Sequence, residues 1–292
     1  MPSHVSTFCF AALVCASGIA CAQAQSFPVR QIRLVAPYPA GGPVDVVARA
    51  MGPRLAELLG QTVLIDNRPG GGTVIGSEIV ARAAPDGHTC LLITSAVAIN
   101  PSVIRKMPYD AQRDLAPVSK VSSSPFILVV HPGVPARNTA EFIKLAKSRP
   151  GELMLGSSGV GGANHLSWAQ FNLAAGVNTV HVPYKGTAPL MTDLMAGQTQ
   201  FSFSNPLGAL PLVRGGRLKA LGVASLKRLE IAAEIPTMSE SGLPDFETGV
   251  WFAFFTTGGT PRDIVQRLSI EVGKTVITPD VRLRIASGGA LI

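Results

Sequence analysis

The chain has 292 residues, of which 47% are hydrophobic and only 15% are charged, so it can bury a sizeable core. Its net charge of +7 is spread along the sequence without a block of like charges, which argues against a nucleic-acid-binding tract. A diffuse positive charge of this kind favours small anions, although salt weakens the attraction.

Residues 1–24 have the pattern of a secretory signal peptide. They contain no Lys, Arg, Asp or Glu, and an apolar core at residues 8–20 precedes the small-x-small sequence Ala22-Gln23-Ala24. A lipoprotein signal that uses Cys21 is the alternative, although Gly18-Ile19-Ala20 is a poor lead-in. The apolar core is shorter than the roughly 20 residues of a membrane-spanning helix. We therefore expect cleavage before Gln25 and export to the periplasm.

The cysteines indicate no disulfide in the exported chain. Cys9, Cys15 and Cys21 lie in the signal segment, which leaves Cys90 alone in the apolar run Cys90-Leu91-Leu92-Ile93. A single cysteine forms neither an internal disulfide nor a thiolate metal cluster. We expect Cys90 to be a small core residue.

Beyond residue 25 the sequence alternates strand-like and helix-like stretches. This alternation predicts an α/β fold with mostly parallel sheets. Asn138 followed by Glu141 predicts a capped helix N-terminus. The predicted strands are 32–36, 62–66, 89–94, 126–131, 153–157, 179–182, 200–204, 218–224 and 250–256. The predicted helices are 44–59, 74–83, 140–148, 163–174, 190–196, 207–214 and 262–276.

A glycine turn between the first strand and the first helix is the strongest local signal. Leu34-Val35-Ala36 runs into Pro37-Tyr38-Pro39-Ala40-Gly41-Gly42, and apolar residues then recur at helical spacing after Pro43. Glycines at such a turn let a ligand approach the backbone, and the helix N-terminus presents free N–H groups to an anion. An ordinary strand-to-helix connection without a ligand is the alternative.

A second stretch repeats this arrangement. Asn178 to Val182 is strand-like and leads through Pro183-Tyr184-Lys185-Gly186 into a helix. Further glycine turns at residues 66–72 and 156–162 follow other predicted strands. We interpret the repetition as two similar lobes that each offer helix N-termini to a shared cleft.

The glycine turns do not match known enzyme motifs in detail. Residues 156–162 lack the Gly-Lys-Ser/Thr ending of a nucleotide-binding loop and the spacing of a dinucleotide fingerprint. A nucleophile elbow needs glycine two residues after the serine, but Val160 stands at that position after Ser158. The histidines show no metal-ligand spacing. His165 could act as a base, but a packing role is favoured. We expect His88 to be exposed, Asp193 to be solvated, and Asp45 to act locally at its own helix.

Five ordered motifs resemble the Bug family of periplasmic substrate-binding proteins. They are Pro37 to Gly42 with Asp45 and Arg49, Val63 to Gly76, Ala84 to Thr89, Gly156 to Leu166, and Val182 to Asp193. The resemblance covers nearly all of the predicted mature chain. Pro43 departs from the Ser, Thr or Ala usual in the family, which removes one donor. The family usually continues about thirty residues past the region of Ala286, whereas this chain ends at Ile292 after Gly288-Gly289-Ala290. We therefore expect a truncated or frameshifted C-terminus that lacks a strand and a final helix.

The resemblance implies a two-lobed Venus-flytrap fold. The expected limits are 25–125 for lobe 1, 126–250 for lobe 2 and 251–292 for a return to lobe 1. It implies a small carboxylate ligand, a two-subunit membrane permease as partner, a monomeric protein, and no catalysis, cofactor, metal or nucleic acid. The expected ligand-binding residues are Tyr38, Pro39, Ala40, Gly41, Gly42, Asp45, Asn67, Ser157, Ser158, Gly159, Gly161, His165, Tyr184, Lys185, Gly186, Thr187, Asp193 and Asn205. Asp193 is expected to face an amino group if the ligand is an amino acid.

Other function classes stay open on the sequence alone. A binding protein that signals to a sensory partner would have the same fold as one that serves uptake. An exported α/β hydrolase acting on a small acid is the enzyme alternative, which the missing nucleophile elbow disfavours. The ligand is open among dicarboxylates, tricarboxylates, amino acids and aromatic acids.

The signal peptide gives the first testable prediction. Because the uncharged apolar segment ends in Ala22-Gln23-Ala24, the mature protein should start near Gln25. N-terminal sequencing of protein from a periplasmic extract measures this directly. Soluble cytosolic protein that keeps Met1 would contradict it.

Overall fold

The computed structural model describes residues 27–286 and 289–292, so the predicted signal peptide and its three cysteines lie outside the described residues. The strands are β1 (Ile32–Ala36), β2 (Val63–Asn67), β3 (Thr89–Thr94), β4 (Leu115–Pro125), β5 (Ile127–Val130), β6 (Met154–Ser157), β7 (Val180–Pro183), β8 (Phe201–Ser204), β9 (Lys219–Val223) and β10 (Gly249–Thr257).

Helices alternate with these strands along most of the chain. They are α1 (Pro43–Leu59), α2 (Val74–Ala81), α3 (Ala96–Val103), α4 (Thr139–Ser148), α5 (Ala163–Ala175), α6 (Thr187–Met195), α7 (Pro206–Arg214), α8 (Arg262–Val276) and α9 (Pro279–Ala286). Within the described ranges, none of them has the length and apolar character needed to cross a membrane.

Two five-stranded sheets divide the fold into two lobes. The first sheet has the order β2-β1-β3-β10-β4, and the second has the order β7-β6-β8-β5-β9. Helices α8 and α9 pack on α1, so the end of the chain returns to the first lobe. The predicted α/β architecture with two lobes is therefore confirmed. The residue limits predicted for the lobes stay a prediction.

The chain crosses between the lobes along adjacent paths. One path joins β4 to β5 at Phe126, and the other leads from β9 to β10 through Thr248. The Phe126 N–H donates to the Thr248 carbonyl at 3.0 Å, and the Thr248 N–H donates to the Ala224 carbonyl at 3.1 Å. Hydrogen bonds between the crossing segments form a narrow hinge on which the lobes can move as units.

The prediction of mostly parallel sheets is wrong. Strands β1, β2 and β3 pair in parallel, as do β6, β7 and β8, but β10 and β5 run antiparallel to both of their neighbours. The reason is the hinge, because β5 and β10 enter their sheets from the other lobe. They do not arrive through the right-handed helical crossover that makes strands parallel.

Some elements escaped sequence prediction. Strand β4 contains Pro117 and Pro125 and several serines, a composition that disfavours a central strand but is tolerated at a sheet edge. Helix α3 contains Pro101, and α9 has only eight residues.

At the far end of the chain, Leu291 forms a single antiparallel bridge to Ser123 on the edge of β4. The predicted truncation of the C-terminus stays a prediction.

One cluster of buried apolar residues runs through both lobes, and a smaller second cluster lies in the second lobe. Phe142, Phe171, Phe201 and Phe203 are fully buried in the second lobe and meet at the edges and faces of their rings. Cys90 is fully buried in the first lobe, as expected from its apolar run.

His88 is buried, although the sequence predicted that it is exposed. Only 4% of its surface is accessible, because Phe27 packs against its ring. Its Nε2 accepts a hydrogen bond from the Val29 N–H at 3.2 Å. The predicted helix cap at Asn138 is confirmed, since its Oδ1 accepts from the Glu141 N–H at 2.8 Å.

Candidate ligand site between the lobes

A small cavity that is partly open to solvent lies between the lobes. It sits beyond the carboxyl ends of β1, β3, β6 and β8, the place where open α/β sheets bind ligands. Its lining consists of Tyr38, Pro39, Gly42, Pro43, Val44, Thr94, Phe126, Ser158, Ala163, Asn164, Thr187, Phe203, Ser204, Asn205, Val250 and Phe252. Both lobes contribute, so a ligand here would touch each of them.

Four helix N-termini converge on this cavity. Gly42 caps α1, Ala163 begins α5, Thr187 begins α6 and Asn205 caps α7, and all four residues line the space. The first N–H groups of a helix have no partner within it, and the helix dipole makes that end positive. The arrangement is therefore a ready site for an anion.

Uncharged residues make up the lining. Among the described residues, no Lys, Arg, Asp or Glu lines this cavity. An apolar part of the lining is formed by Phe126, Phe203, Val250 and Phe252. Water is poorly accommodated beside such a wall, and dipoles act more strongly where water is excluded. The cavity is thus suited to an anionic group that carries an apolar part.

Asn205 lines the cavity and carries a buried, unpaired donor. Its Oδ1 accepts a hydrogen bond from the Leu207 N–H at 2.9 Å and so caps α7. Its Nδ2 is buried and has no hydrogen-bond partner within the described ranges, and only 7% of the residue is exposed. A buried amide without an acceptor costs about 1–3 kcal/mol, which a ligand oxygen would relieve.

Tyr38 is fixed in the wall by polar contacts on both sides. Its hydroxyl lies 2.6 Å from Thr94 Oγ1, and burial raises the pKa of this phenol. Its carbonyl accepts a hydrogen bond from Asn67 Nδ2 at 3.1 Å. Tyr38 therefore presents a neutral, immobile ring to the cavity, while Asn67 supports the turn from behind.

Asp45 acts locally, as favoured from the sequence. Its Oδ2 accepts hydrogen bonds from the Gly41 N–H and from Arg49 Nε, each at 2.9 Å. Burial alone raises the pKa of Asp45, but these hydrogen bonds outweigh it and hold the pKa below its usual value. The carboxylate stays charged, closes the glycine turn and does not line the cavity.

The predicted site residues divide into three groups. Tyr38, Pro39, Gly42, Ser158, Thr187 and Asn205 line the main cavity. Gly159, Tyr184 and Lys185 line a neighbouring cavity, of which Tyr38 and Ser158 are shared walls. Ala40, Gly41, Asp45, Asn67, Ser157, Gly161, His165, Gly186 and Asp193 line neither of the two. A direct role in ligand binding stays a prediction for all of them.

Gly41 and Asp193 illustrate why sequence position alone does not place a side chain. Gly41 is exposed, and a Cβ added to it would meet no atom within 4 Å. Asp193 is half-buried on α6 instead of solvated, and it lies beside the Tyr184 hydroxyl. Burial and this carboxylate together raise the pKa of Tyr184 to about 12. Asp193 therefore supports a turn instead of facing the cavity.

The predicted ligand-binding residues did not include several residues that line the main cavity. Val44, Ala163 and Asn164 directly follow the glycine turns that the sequence does reveal, so first-turn positions were the available signal. Phe126, Val250 and Phe252 come from the hinge and the antiparallel strand β10. No local motif marks them, because their place depends on how the two lobes are joined.

The lobes touch around the cavity at glycines. A Cβ on Gly186 would lie 2.5 Å from Cδ of Pro39 in the opposite lobe. A Cβ on Gly72 would overlap the Val160 carbonyl, also across the cleft. Larger residues at these two positions would hold the lobes apart, so the conformation described here is a closed one.

Two histidines support the turn that carries Ser158. His181 Nε2 lies 2.5 Å from Ser157 Oγ, and His165 Nδ1 accepts from the Gly161 N–H at 3.4 Å. The two imidazole rings are 4.2 Å apart. Burial lowers the pKa of both, and the neighbouring His165 helps to bring that of His181 to about 4. Within the described residues no cluster of three or more His, Cys, Asp or Glu residues could hold a metal ion.

Comparison with known proteins assigns the family. The model of the tripartite tricarboxylate transporter family receptor matches residues 47–290. The chain belongs to this family. BugT of Bordetella pertussis is 34% identical over 280 residues, which cover 95% of this chain and 86% of BugT.

Solved structures of family members share the fold. MatC of Rhodopseudomonas palustris, solved with bound malate, is 33% identical with a TM-score of 0.85 and covers 91% of each chain. The R. palustris protein Rpa4515, solved with adipate, is 35% identical with a TM-score of 0.86, over 90% of this chain and 89% of that one. The family receptor is thus a solute-binding protein and not an enzyme, and the hydrolase alternative falls away.

The histidine pair predicts a pH dependence of stability. A histidine whose pKa is lowered by folding stabilises the fold above its unfolded pKa of 6.5, and that stabilisation is lost as the pH falls towards the folded value of about 4. His181→Gln removes the titration next to Ser157. Urea unfolding at about pH 7 and about pH 5 should show a larger loss for the native chain than for the variant. An equal loss in both proteins would contradict this role of the pair.

Proposed function

We propose that this receptor captures a small carboxylate between its lobes in the periplasm and delivers it to the membrane permease of a tripartite tricarboxylate transporter. Dicarboxylates, tricarboxylates, amino acids and aromatic acids are the candidate ligands. The predicted signal peptide supports the location, and the family supports the permease as partner. The ligands named for MatC and Rpa4515, malate and adipate, support a carboxylate.

The observation that carries the proposal is the convergence of four helix N-termini on an uncharged cavity. An anion at a partly buried helix N-terminus gains up to about 2 kcal/mol. The helix ends that meet here can therefore contribute to carboxylate binding in a cavity whose described lining contains no arginine or lysine.

Ligand binding and lobe closure are coupled in this proposal. A carboxylate between α1 of the first lobe and α5, α6 and α7 of the second is fully coordinated only when the lobes are together. A ligand shifts a conformational equilibrium by its difference in affinity for the two states. The permease would then recognise the closed, loaded form.

A screen by thermal shift identifies the ligand. Acids from each candidate class are added to the purified protein and the melting temperature is recorded. A ligand at a hundredfold excess over its Kd stabilises the fold by about 2.7 kcal/mol. If no carboxylate raises the melting temperature and another class of solute does, the proposed function is wrong.

Asn205→Asp tests the binding mode by calorimetry with the acid found in the screen. The variant keeps an oxygen that can cap α7, but it replaces the unpaired Nδ2 donor with a carboxylate oxygen that repels the ligand. Losing a hydrogen bond to a charged group costs about 1.5–3 kcal/mol. We therefore expect Kd to rise at least about tenfold.

Asn138→Asp is the matched control. Asn138 also caps a helix through its side-chain oxygen, but it lies outside the cavity lining. The Asn138→Asp variant should bind the acid with the same affinity as the native chain. If Asn205→Asp binds as tightly as this control, the donor in the cavity has no part in binding.

A further inference from the structure

Asn100 lies at the seam where the two lobes meet. It belongs to α3 of the first lobe and is fully buried. Its Nδ2 donates to the Gly72 carbonyl at 2.8 Å and to Thr73 Oγ1 at 3.0 Å, and both partners are in the first lobe. These two hydrogen bonds use both protons of Nδ2. They fix the orientation of the amide, so Oδ1 is turned away from the first lobe's glycine turn.

The Oδ1 atom of Asn100 faces the second lobe without a hydrogen bond. It has no partner within the described residues, and a Cβ built on Gly161 would overlap it. So close an approach leaves no room for a water molecule between the oxygen and Gly161. The Gly161 N–H does not serve as the donor, because it donates to His165 Nδ1 at 3.4 Å. In the closed conformation the oxygen is therefore both buried and unpaired.

The cost of this unpaired oxygen arises only when the lobes close. Gly161 is part of the second lobe, so separation of the lobes uncovers Oδ1 and lets water donate to it. The hydrogen bonds from Nδ2 stay within the first lobe and are the same in both states. Closure thus removes water from an acceptor without replacing it. A penalty of this kind lowers the closed-to-open ratio by about 5- to 150-fold, the equivalent of about 1–3 kcal/mol.

We propose that Asn100 sets the ligand affinity of the receptor by holding the empty lobes open. The inference rests on the lobe closure of the proposed function. When only a small fraction of the receptor is closed, the apparent Kd is weakened in proportion to that fraction. The same penalty separates the lobes again once the ligand has left. Asn100 is thus a positioning residue, and it lines neither the main cavity nor the neighbouring one.

Two substitutions with opposite expected effects test the proposal. Asn100→Leu and Asn100→Asp both remove the Nδ2 donor and keep the branched shape of the side chain, so they share the structural effect of that loss. They differ at the seam, where leucine buries an apolar group and aspartate buries a charge. Leucine should raise the closed-to-open ratio about 5- to 150-fold. Aspartate should lower the ratio at least about tenfold, because burial of an unpaired charge costs more than burial of an amide.

Spin labels on the empty receptor measure this ratio without any ligand. Arg105→Cys and Leu166→Cys place one label on each lobe at exposed positions near the seam, and the native Cys90 is fully buried. Opening separates the two labels, so pulsed electron paramagnetic resonance distinguishes a short distance from a long one. The fraction of the short distance should be larger with Asn100→Leu than in the labelled native background.

Calorimetry with the acid found in the screen gives a second readout. While the open state predominates, Kd follows the closed fraction. Asn100→Leu should therefore bind about 5- to 150-fold more tightly and Asn100→Asp at least about tenfold more weakly. Weaker binding in both variants would mean that the lost Nδ2 bonds dominate, and it would overturn the proposal. If Asn100→Leu does not fold, the isosteric Asn100→Asp decides, since native affinity in that variant would also overturn it.

Asn172→Leu is the matched control for the loss of an asparagine side chain. Asn172 Oδ1 accepts a hydrogen bond from Thr179 Oγ1 at 2.8 Å within the second lobe, and Asn172 lines neither cavity. Its replacement should change neither the label distances nor Kd. If Asn172→Leu shifts the closed fraction as much as Asn100→Leu does, the effect is not specific to the seam and the proposal is wrong.

The label measurement separates this inference from the proposed function. An unchanged or smaller closed fraction in Asn100→Leu would overturn the inference and leave carboxylate capture intact. A larger closed fraction in a receptor that binds none of the acids would support the role of Asn100 and contradict the proposed function.

Discussion

Backbone N–H groups at four helix ends impose the main constraint on this molecule. The first turns of α1, α5, α6 and α7 meet in a cavity with an apolar wall. Part of these first turns is already satisfied, since the Leu207 N–H donates to Asn205 Oδ1 and α1 and α7 begin with prolines. The donors that remain would need an acceptor, because buried donors are rarely left unpaired. Asn205 adds one more donor of this kind. The helix ends therefore offer a positive dipole and N–H donors, to which an anionic oxygen is the complementary group.

The rest of the architecture serves to bring these helix ends together. In each lobe, parallel strands wound through helices point their carboxyl ends at the cleft, and the antiparallel strands β5 and β10 carry the chain across the hinge. Asp45 and Asn67 hold one turn from behind, and His165 and His181 hold another. These four side chains thus shape the site without lining the main cavity.

The sequence predicted the repeated part of this design well. Strand, glycine turn and helix follow each other at both Tyr38 and Tyr184, and local periodicity is enough to place such units. It failed where position depends on a distant part of the chain. Phe126 and Phe252 line the cavity through the hinge, and His88 is buried by Phe27, which lies far away in sequence. Gly41 and Gly42 are adjacent in one motif, yet only Gly42 lines the cavity, because direction within a turn is set by dihedral angles and not by residue type.

A crystal structure of the protein with the acid found in the screen tests the central claim most directly. The account predicts carboxylate oxygens within about 2.7–3.2 Å of Asn205 Nδ2 and of first-turn N–H groups from both lobes. The lobes should be closed on the ligand, with Gly186 against Pro39. A carboxylate held instead by an arginine or lysine outside this cavity, with Asn205 Nδ2 facing no ligand atom, would contradict it.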